Sequence, residues 1–171
     1  MKFNSGNGNS FLKINDKESV VGIFRGEPYE YRQHWVNKKG ELCPGEGCEH
    51  CAAGEKPGFR FRLNFVTYDA VDYKAWIIEQ GWNFYTDLKG LHEGDYDLEK
   101  TLVKITRNGT GNMTKYTILP VANRVLTEQE MARIGAVKLL KLEKDEERSQ
   151  APAQSEHMQS LSDMSEQDIP F

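Results

Sequence analysis

Three cysteines that lie close together place the strongest constraint on how this chain folds. Cys43, Cys48 and Cys51 occupy the stretch Cys-Pro-Gly-Glu-Gly-Cys-Glu-His-Cys, in which the last two are two residues apart. This spacing is typical of a knuckle whose backbone and thiolates wrap one tetrahedral ion. Clustered thiols in a reducing compartment favour metal binding over disulfides. The cluster therefore predicts a loop that is ordered by a metal ion.

Three thiolates leave one ligand position of a tetrahedral ion to be filled. His34 is the best candidate, because a short loop can fold it back onto the cysteines. His50 is the alternative, but it lies inside the two-residue spacer, where we expect its ring to point away from the ion. Soft thiolates with one imidazole favour Zn²⁺. Four protein ligands leave no position for water, so we expect a structural zinc site that orders residues 37–57.

Period-two patterns predict strands in much of the remaining chain. In the clearest strand, Phe59–Tyr68, phenylalanine and leucine alternate with arginine and asparagine, and we expect the apolar row to face the core. The other strands are Ser19–Arg25, Tyr29–Val36, Tyr73–Ile78, Thr101–Asn108 and Met113–Pro120. A turn at Gly26-Glu-Pro28 is predicted between the first two, and Gly109-Thr-Gly-Asn112 predicts a hairpin between the last two.

Two helices complete the pattern. One is predicted over Trp82–His92, with Phe84, Tyr85, Leu88 and Leu91 as its apolar side. The other begins at a capping box of Thr127 and Glu130 and extends to about Leu142. About five strands, with one helix before the final hairpin, form the outline of an OB-fold barrel, although other small barrels fit too. We therefore predict a mainly β domain over residues 11–142, a five-stranded OB-fold barrel with one or two short helices.

The composition changes on either side of this domain. Residues 1–10 are rich in Gly and Asn, and Ser, Gln, Glu, Ala and Pro dominate residues 143–162, so both ends are predicted to be flexible. Residues 143–171 carry eight acidic and two basic side chains, a net charge of −6. Because the whole chain has a formal net charge of −4, residues 1–142 carry +2. The chain ends in an aromatic residue on an acidic tether, which suits docking into another protein.

Basic residues alternate with aromatic residues along several strands. Single-stranded nucleic acid is bound by such surfaces, because cations follow the phosphates and rings stack on bases of any sequence. For Tyr31, Trp35 and Trp76, core packing and base stacking are equally compatible with the pattern. The candidate nucleic-acid residues are Tyr31, Arg32, Trp35, Arg60, Arg62, Lys74, Trp76, Lys104, Arg107, Lys115 and Tyr116.

Other functional classes find less support. The chain contains no apolar run of 18 residues and no apolar signal segment, so we expect a cytoplasmic protein without a membrane span. It has no catalytic triad, phosphate-cradling glycine loop or paired-acid site, so we expect no enzymatic activity. The alternatives are an RNA-binding regulator and a zinc-containing nuclease. The nuclease would need a divalent-ion site built from carboxylates such as Asp69, Asp72 or Asp95.

Taken together, these features resemble the single-stranded DNA-binding proteins of tailed bacteriophages, and the C-terminal tip resembles that of bacterial single-stranded DNA-binding proteins. The resemblance implies an OB-fold that coats single-stranded DNA without sequence preference during phage replication, recombination and repair in the host cytoplasm, associated with the nucleoid. It implies zinc ligation by His34, Cys43, Cys48 and Cys51. It also implies that replication and recombination proteins are recruited by a docking tip made of Asp168, Ile169, Pro170 and Phe171.

Overall fold

The computed structural model describes residues 10–69 and 71–144. These residues form a mainly β structure, in which six strands make one antiparallel sheet with a few short helices. The strands hydrogen-bond in the order β4-β3-β1-β5-β6, and β2 pairs with the end of β1. The strands are β1 (Ser19–Val36), β2 (Lys39–Leu42), β3 (Gly58–Asp69), β4 (Asp72–Gly81), β5 (Val103–Asn108) and β6 (Lys115–Pro120).

Strand β1 connects all parts of the sheet, and here the sequence prediction was wrong. The two strands predicted over Ser19–Val36 are one continuous strand, because Gly26-Glu-Pro28 does not reverse the chain. These three residues form a bulge instead: Arg25 pairs with Asn64, and the next paired residue, Tyr29, pairs with Arg62. Gly26 has a φ of 75°, which glycine adopts without a steric penalty, and Pro28 has no N–H to leave unpaired.

The hairpin predicted at Gly109-Thr-Gly-Asn112 is confirmed, and the strands predicted over Phe59–Tyr68 and Tyr73–Ile78 also form a hairpin. Strands β3 and β4 pair from Asp69↔Asp72 to Arg60↔Gly81, and both are slightly longer than predicted. Strands β5 and β6 pair from Val103↔Pro120 to Asn108↔Lys115, and a short 3₁₀ turn lies between them. Because β5 also pairs with the first part of β1, the second hairpin extends the sheet on the side opposite to β3.

The sheet has two faces with separate apolar clusters. On the inner face, the predicted core row is confirmed, since Phe61, Leu63 and Phe65 are buried with Phe24. Helix α2 (Trp82–Glu93) covers this face through Phe84 and Leu88. Burying side chains of this size contributes about 1.5–3 kcal/mol each, so this cluster is the main source of stability. The outer face has a smaller cluster: Ile23, Val66 and Ala75 with Ile134.

Helix α3 (Glu128–Gly135) begins as predicted but ends earlier. The capping box is confirmed, with Glu130 N–H donating to Thr127 Oγ1 at 3.2 Å and Thr127 N–H to Glu130 Oε2 at 2.9 Å. The helix was predicted to reach Leu142. Instead, residues 137–144, the strap segment, lie across the outer face of the sheet.

The strap segment leaves the helix because a distant side chain replaces its helical hydrogen bonds. Asn64 Nδ2 donates to the Leu140 carbonyl at 3.1 Å, and the Leu140 N–H donates to Asn64 Oδ1 at 2.9 Å. Arg62 Nη1 then donates to the Leu142 carbonyl at 3.2 Å. Leu140 is therefore held by side chains of β3, as though it belonged to a further strand.

The edges of the sheet do not join within residues 10–69 and 71–144, where β4 and β6 share no hydrogen bonds. Helix α2 contacts both strands. Residues 10–12 run parallel to the outer edge of β4, with Leu12 N–H donating to the Ile77 carbonyl at 2.9 Å. In the part of the chain that the structure describes, no helix has the length and apolar character needed to cross a membrane.

Candidate functional site

The metal-ligand loop, residues 37–57, begins with a strand that sequence reasoning missed. Strand β2 folds back on β1, with Trp35 opposite Gly40 and Val36 opposite Lys39. Asn37 and Lys38 both have positive φ, the conformation of a two-residue hairpin turn. An Asn at the turn was the one available indication. The hairpin places Cys43 beside β1, where its N–H donates to the Arg32 carbonyl at 2.8 Å.

The short helix α1 (Glu49–Ala52) sets the positions of the other two cysteines. Cys48 precedes the helix and Cys51 lies in it, one turn on, so their side chains point to the same place. Gly45 and Gly47 have φ values of 82° and 76°, which let the chain between Cys43 and Cys48 curl around that place. The loop therefore presents three thiols to the end of β1, where His34 lies.

The four predicted ligands converge. His34 Nε2 lies 3.4 Å from both Cys48 Sγ and Cys51 Sγ, and Cys43 Sγ lies 3.6 Å from Cys51 Sγ. All four ligand atoms lie within 4.8 Å of one another, so the cluster could hold a metal ion. Metal–sulfur bonds of about 2.3 Å and metal–nitrogen bonds of about 2.0–2.1 Å in a tetrahedron would separate two sulfurs by about 3.8 Å, and sulfur from nitrogen by about 3.6 Å. The observed separations fit that geometry closely.

His50 lies outside this group, as its place in the spacer predicts. Its Nε2 is 3.4 Å from Glu41 Oε2 and its Nδ1 is 3.4 Å from Glu55 Oε2. The ring packs against that of His34, with centroids 5.1 Å apart. Glu55 Oε2 also faces His34 Nδ1 at 3.9 Å. A carboxylate on that side favours a tautomer that leaves Nε2 free to bind a metal.

The thiols are in an environment that suits a cation. Burial, together with the neighbouring Cys43 and Cys48 thiols, raises the pKa of Cys51 to about 11. A hydrogen bond from the backbone of Cys51 lowers the pKa of Cys48. His34 is only 2% exposed. Three thiolates this close repel one another, and a bound cation would stabilise them together while their protons are released.

Two predicted nucleic-acid residues, Tyr31 and Trp76, lie in the core. Tyr31 is 6% exposed and Trp76 is 3% exposed. The sequence was compatible with either core packing or base stacking, and the structure places both rings in the core. Arg62 and Lys144 cover the Tyr31 ring, with their cationic groups 5.7 and 5.0 Å from its centroid. Lys74 Nζ lies 4.0 Å from the centroid of the Trp76 ring. In this conformation neither ring is open to a base.

Other predicted residues make contacts within the protein. Arg107 Nη1 donates to the Ile14 carbonyl at 2.8 Å, which ties β5 to the N-terminal segment. Tyr116 packs edge-on against Phe84, with centroids 5.7 Å apart. Arg60 and Arg62 both pair with Glu79.

The remaining predicted residues are exposed. Trp35 is 72% exposed at the turn between β1 and β2. Arg32, Lys104 and Lys115 are exposed cations that form no ion pair with any residue among 10–69 and 71–144. The tip residues Asp168, Ile169, Pro170 and Phe171 lie outside the described residues.

The structure adds a cluster of three rings, here called the ring platform: Phe59, Trp82 and Tyr85. Trp82 stacks on Tyr85 with centroids 5.9 Å apart, and Phe59 meets both rings edge-on at 5.2 and 5.0 Å. Trp82 remains 57% exposed. Arg32 is the register partner of Phe59, so it projects from the same face of the sheet. The Tyr85 hydroxyl donates to Glu30, which fixes its ring.

Sequence reasoning placed Tyr85 in the core stripe of α2 and gave Trp82 no role. Phe84, Leu88 and Leu91 lie three or four residues apart and form one stripe of that helix. Trp82 falls outside that stripe, and this was the available indication that its ring is exposed. Its contact with Phe59 joins two distant parts of the sequence and could not be read from either part alone.

Comparison with known proteins gave no matching protein-family model, no similar curated protein and no similar solved structure.

Proposed function

We propose that this protein binds single-stranded DNA without sequence preference and that bases stack on the ring platform. The observation that carries the proposal is the mostly exposed Trp82, which is supported by two rings, one of them Phe59, the register partner of Arg32. Every base has a flat π face, so stacking tolerates any sequence and contributes about 1–3 kcal/mol per base. A phosphate beside a stacked base would be attracted to Arg32. Arg32 forms no ion pair within the described part of the chain, so its charge is available to the phosphate.

The environment of Trp82 favours binding in a second way. Tyr85 is fixed by its hydrogen bond to Glu30, and Phe59 is fixed by its position in β3. Both rings therefore limit the rotamers of Trp82 before a ligand arrives. Side chains that are already ordered lose less conformational entropy on binding, which improves affinity.

We also infer that the sheet is a partly open barrel of the OB type. The long β1 is shared between β3 on one side and β5 on the other, and a helix separates the first three long strands from the final hairpin. OB-folds are five-stranded, partly open Greek-key barrels that bind oligonucleotides. Helix α2 would then fill the gap between β4 and β6, since it contacts both strands.

For the metal we propose structural Zn²⁺. A Cys₃His ligand set with tetrahedral spacing is typical of closed zinc sites. The ion would cross-link this loop, and four residues would hold it: His34 from β1, Cys43 after β2, Cys48 just before α1 and Cys51 within α1. Gln33, beside His34 on β1, pairs with Gly58, the residue before Phe59, so the loop ends next to the platform.

The acidic residues 143–171 belong to the same proposal, as a tether whose tip recruits replication, recombination and repair proteins in the cytoplasm of an infected host. In this role the protein is a coat for single strands and carries out no chemistry. An enzyme or an RNA-binding regulator would give different outcomes in the experiment below.

Fluorescence titration with oligothymidylate tests the proposal. We expect binding to quench the emission of the wild type and of Trp35→Phe, and to leave that of Trp82→Phe nearly unchanged. The two variants are matched, because each removes one exposed indole and keeps a ring. Quenching that disappears in Trp35→Phe instead would move the stacking site to the β1–β2 turn.

Failure of the wild type to bind oligothymidylate at low salt would refute the proposal as a whole. Cleavage of the oligonucleotide in the presence of Mg²⁺ would favour the nuclease. Stronger binding to an RNA of the same length would favour the RNA-binding regulator.

A further inference from the structure

A second cluster, on the outer face of the sheet, contains more positive charge than its one carboxylate balances. Glu79 Oε2 accepts a hydrogen bond from Arg62 Nε at 2.6 Å, and Glu79 Oε1 lies 3.6 Å from Arg60 Nη2. Lys144 interacts electrostatically with the same three groups. Its Nζ donates to Gln33 Oε1 at 3.1 Å, so the ammonium is fixed at the end of the strap segment. We call Arg60, Arg62, Lys144 and Glu79 the arginine cluster.

Two hydrogen-bond donors, one in this cluster and one beside it, have no partner by hydrogen-bond geometry among the described residues. They are the Tyr31 hydroxyl and Arg60 Nε, and both atoms are buried. The Tyr31 side chain is itself 94% buried, since the residue is 6% exposed. Buried donors without an acceptor are rare, because no hydrogen bond then compensates their loss of contact with water. One of these donors belongs to a cation of the cluster and the other lies next to it. Their position among three cations indicates that a negatively charged acceptor binds at the cluster.

Glu79 does not supply that acceptor. Burial raises the pKa of Tyr31 to about 12, and the nearby carboxylate contributes to the increase. The hydroxyl therefore keeps its proton and remains a donor near neutral pH. The Tyr31 hydroxyl also interacts with Glu79, but the Glu79 oxygens are engaged by the two arginines and the Tyr31–Glu79 contact falls outside hydrogen-bond geometry.

The arginine cluster lies close to the ring platform. Arg60 and Phe59 are neighbours on β3 and project from opposite faces of the sheet. The Arg60 guanidinium reaches the edge of the sheet at Gly81. Its Nη1 lies 3.7 Å from the point where the Cβ of a side chain at position 81 would be. Gly81 directly precedes Trp82. A strand stacked on Trp82 can therefore reach Arg60 by passing over the end of β4.

We propose that the arginine cluster binds one phosphodiester group of the strand whose base stacks on Trp82. The proposal rests on the proposed function and adds the residues that hold the backbone. Both atoms are buried in the free protein, so binding requires the groups that cover them to move aside, after which Arg60 Nε and the Tyr31 hydroxyl donate to the phosphate oxygens. Lys144 contributes charge, and Glu79 holds Arg62 in place. The phosphodiester carries one negative charge and reduces the excess of +2 that three cations and one carboxylate leave.

Salt titrations of oligothymidylate binding by the full-length protein test this assignment. The logarithm of the affinity falls with the logarithm of the salt concentration by about 0.7 per phosphate contact on a single strand. We expect Arg60→Gln to reduce this slope by about 0.7, and Arg60→Lys, which keeps the charge, to restore most of it. Lys100→Gln is the matched control, because it removes one positive charge from an exposed residue, whose Nζ lies 3.0 Å from Asp97 Oδ2.

Tyr31→Phe separates hydrogen bonding from charge. It removes one hydroxyl and keeps the ring beneath the cations, so we expect the affinity to fall several-fold while the salt slope stays that of the wild type. Unchanged affinity in Tyr31→Phe, together with an unchanged slope in Arg60→Gln, would overturn the phosphodiester site. Trp82 quenching in the same titrations would still report the platform, so the two proposals fail separately.

A free oxyanion could satisfy the same donors, and NMR of the Arg60 Nε–H resonance distinguishes the two sources. We expect oligothymidylate to shift this resonance, and inorganic phosphate at equal concentration to shift it much less, since it has no base to stack. A shift caused by inorganic phosphate alone would assign the cluster to a free anion and overturn the phosphodiester site.

Discussion

The sheet and the metal-ligand loop differ in what can stabilise them. The inner face of the sheet buries Phe24, Phe61 and Phe65 completely. Between residues 37 and 57, Cys48 is the one buried residue, and the loop has no apolar cluster of its own. Burial of apolar surface is spread over many residues, whereas ligation of the proposed metal would concentrate the stabilising free energy in four side chains. One substitution should therefore disorder the loop and leave the sheet folded.

The largest expected effect is the loss of a ligand. Cys48→Ser should release the metal and abolish hydrogen-exchange protection in residues 37–57, while β3 and β4 stay protected. Structural zinc contributes about 10–16 kcal/mol of apparent free energy in finger peptides, more than a loop of this size needs. Ala53→Ser, an exposed change in the same loop, is the control and should keep the metal. Equal metal content in the two variants would remove Cys48 from the ligand set.

A substitution in the core should have the reverse pattern. Phe61→Ala should lower the free energy of unfolding by about 3–5 kcal/mol, because it removes a buried ring and leaves a cavity. The folded fraction should still bind one metal ion per chain. Denaturant unfolding with parallel metal analysis measures both quantities. A stability loss no greater than that of Val125→Ala, at an exposed position, would show that the inner face does not carry the stability of the sheet.

A smaller effect is expected where the strap segment meets the sheet. Asn64→Ala leaves the Leu140 N–H and carbonyl unpaired, so we expect a loss of about 1–3 kcal/mol. The Leu140 amide should exchange with solvent much faster while the amides of α3 keep their protection. Asn112→Ala, in the exposed turn of the second hairpin, is the control. Unchanged exchange at Leu140 would mean that other contacts hold the segment.

The smallest effect concerns pH. Burial alone would raise the pKa of Glu79, but the hydrogen bond from Arg62 and the nearby positive charges outweigh it, and the pKa lies below its ordinary value of 4.5. Since the folded state has the lower pKa, ionised Glu79 contributes stability above the unfolded-state pKa. That contribution is lost as the pH falls through the folded-state pKa.

The measurement is the difference in unfolding free energy between the wild type and Glu79→Gln. We expect it to be largest near neutral pH and to shrink as the pH falls through the folded-state pKa, which lies below 4.5. A difference that grows on acidification would mean that the carboxylate is not held by the arginines in solution.

Local patterns predicted the elements whose partners lie nearby in the sequence. The alternating row of β3, the second hairpin and the capping box of α3 each depend on residues within about one element, and all three were found as predicted. The convergence of His34 with the cysteines also followed from short spacing. Here the chain can reach only a few arrangements, so spacing was sufficient.

Features that depend on distant partners were missed. Gly26 and Pro28 suit a turn and a bulge equally, and the pairing of β1 with β3 decides between them. The apolar residues after Gly135 could continue a helix until Asn64 binds Leu140. Tyr31 and Trp76 have the composition of a stacking surface, but neighbouring cations cover them, while Trp82 gains its exposed position from Phe59. In each case a contact across the sheet outweighs the local preference.

The strap segment has a mechanical consequence. Its attachments follow one another along the chain, from Leu140 through Leu142 to Lys144, so they lie in series. A pull applied beyond Lys144 would load the last attachment alone, then the next, and would peel the segment from the sheet at low force. The ladder of β1 and β3, whose bonds would share a load side by side, would stay intact.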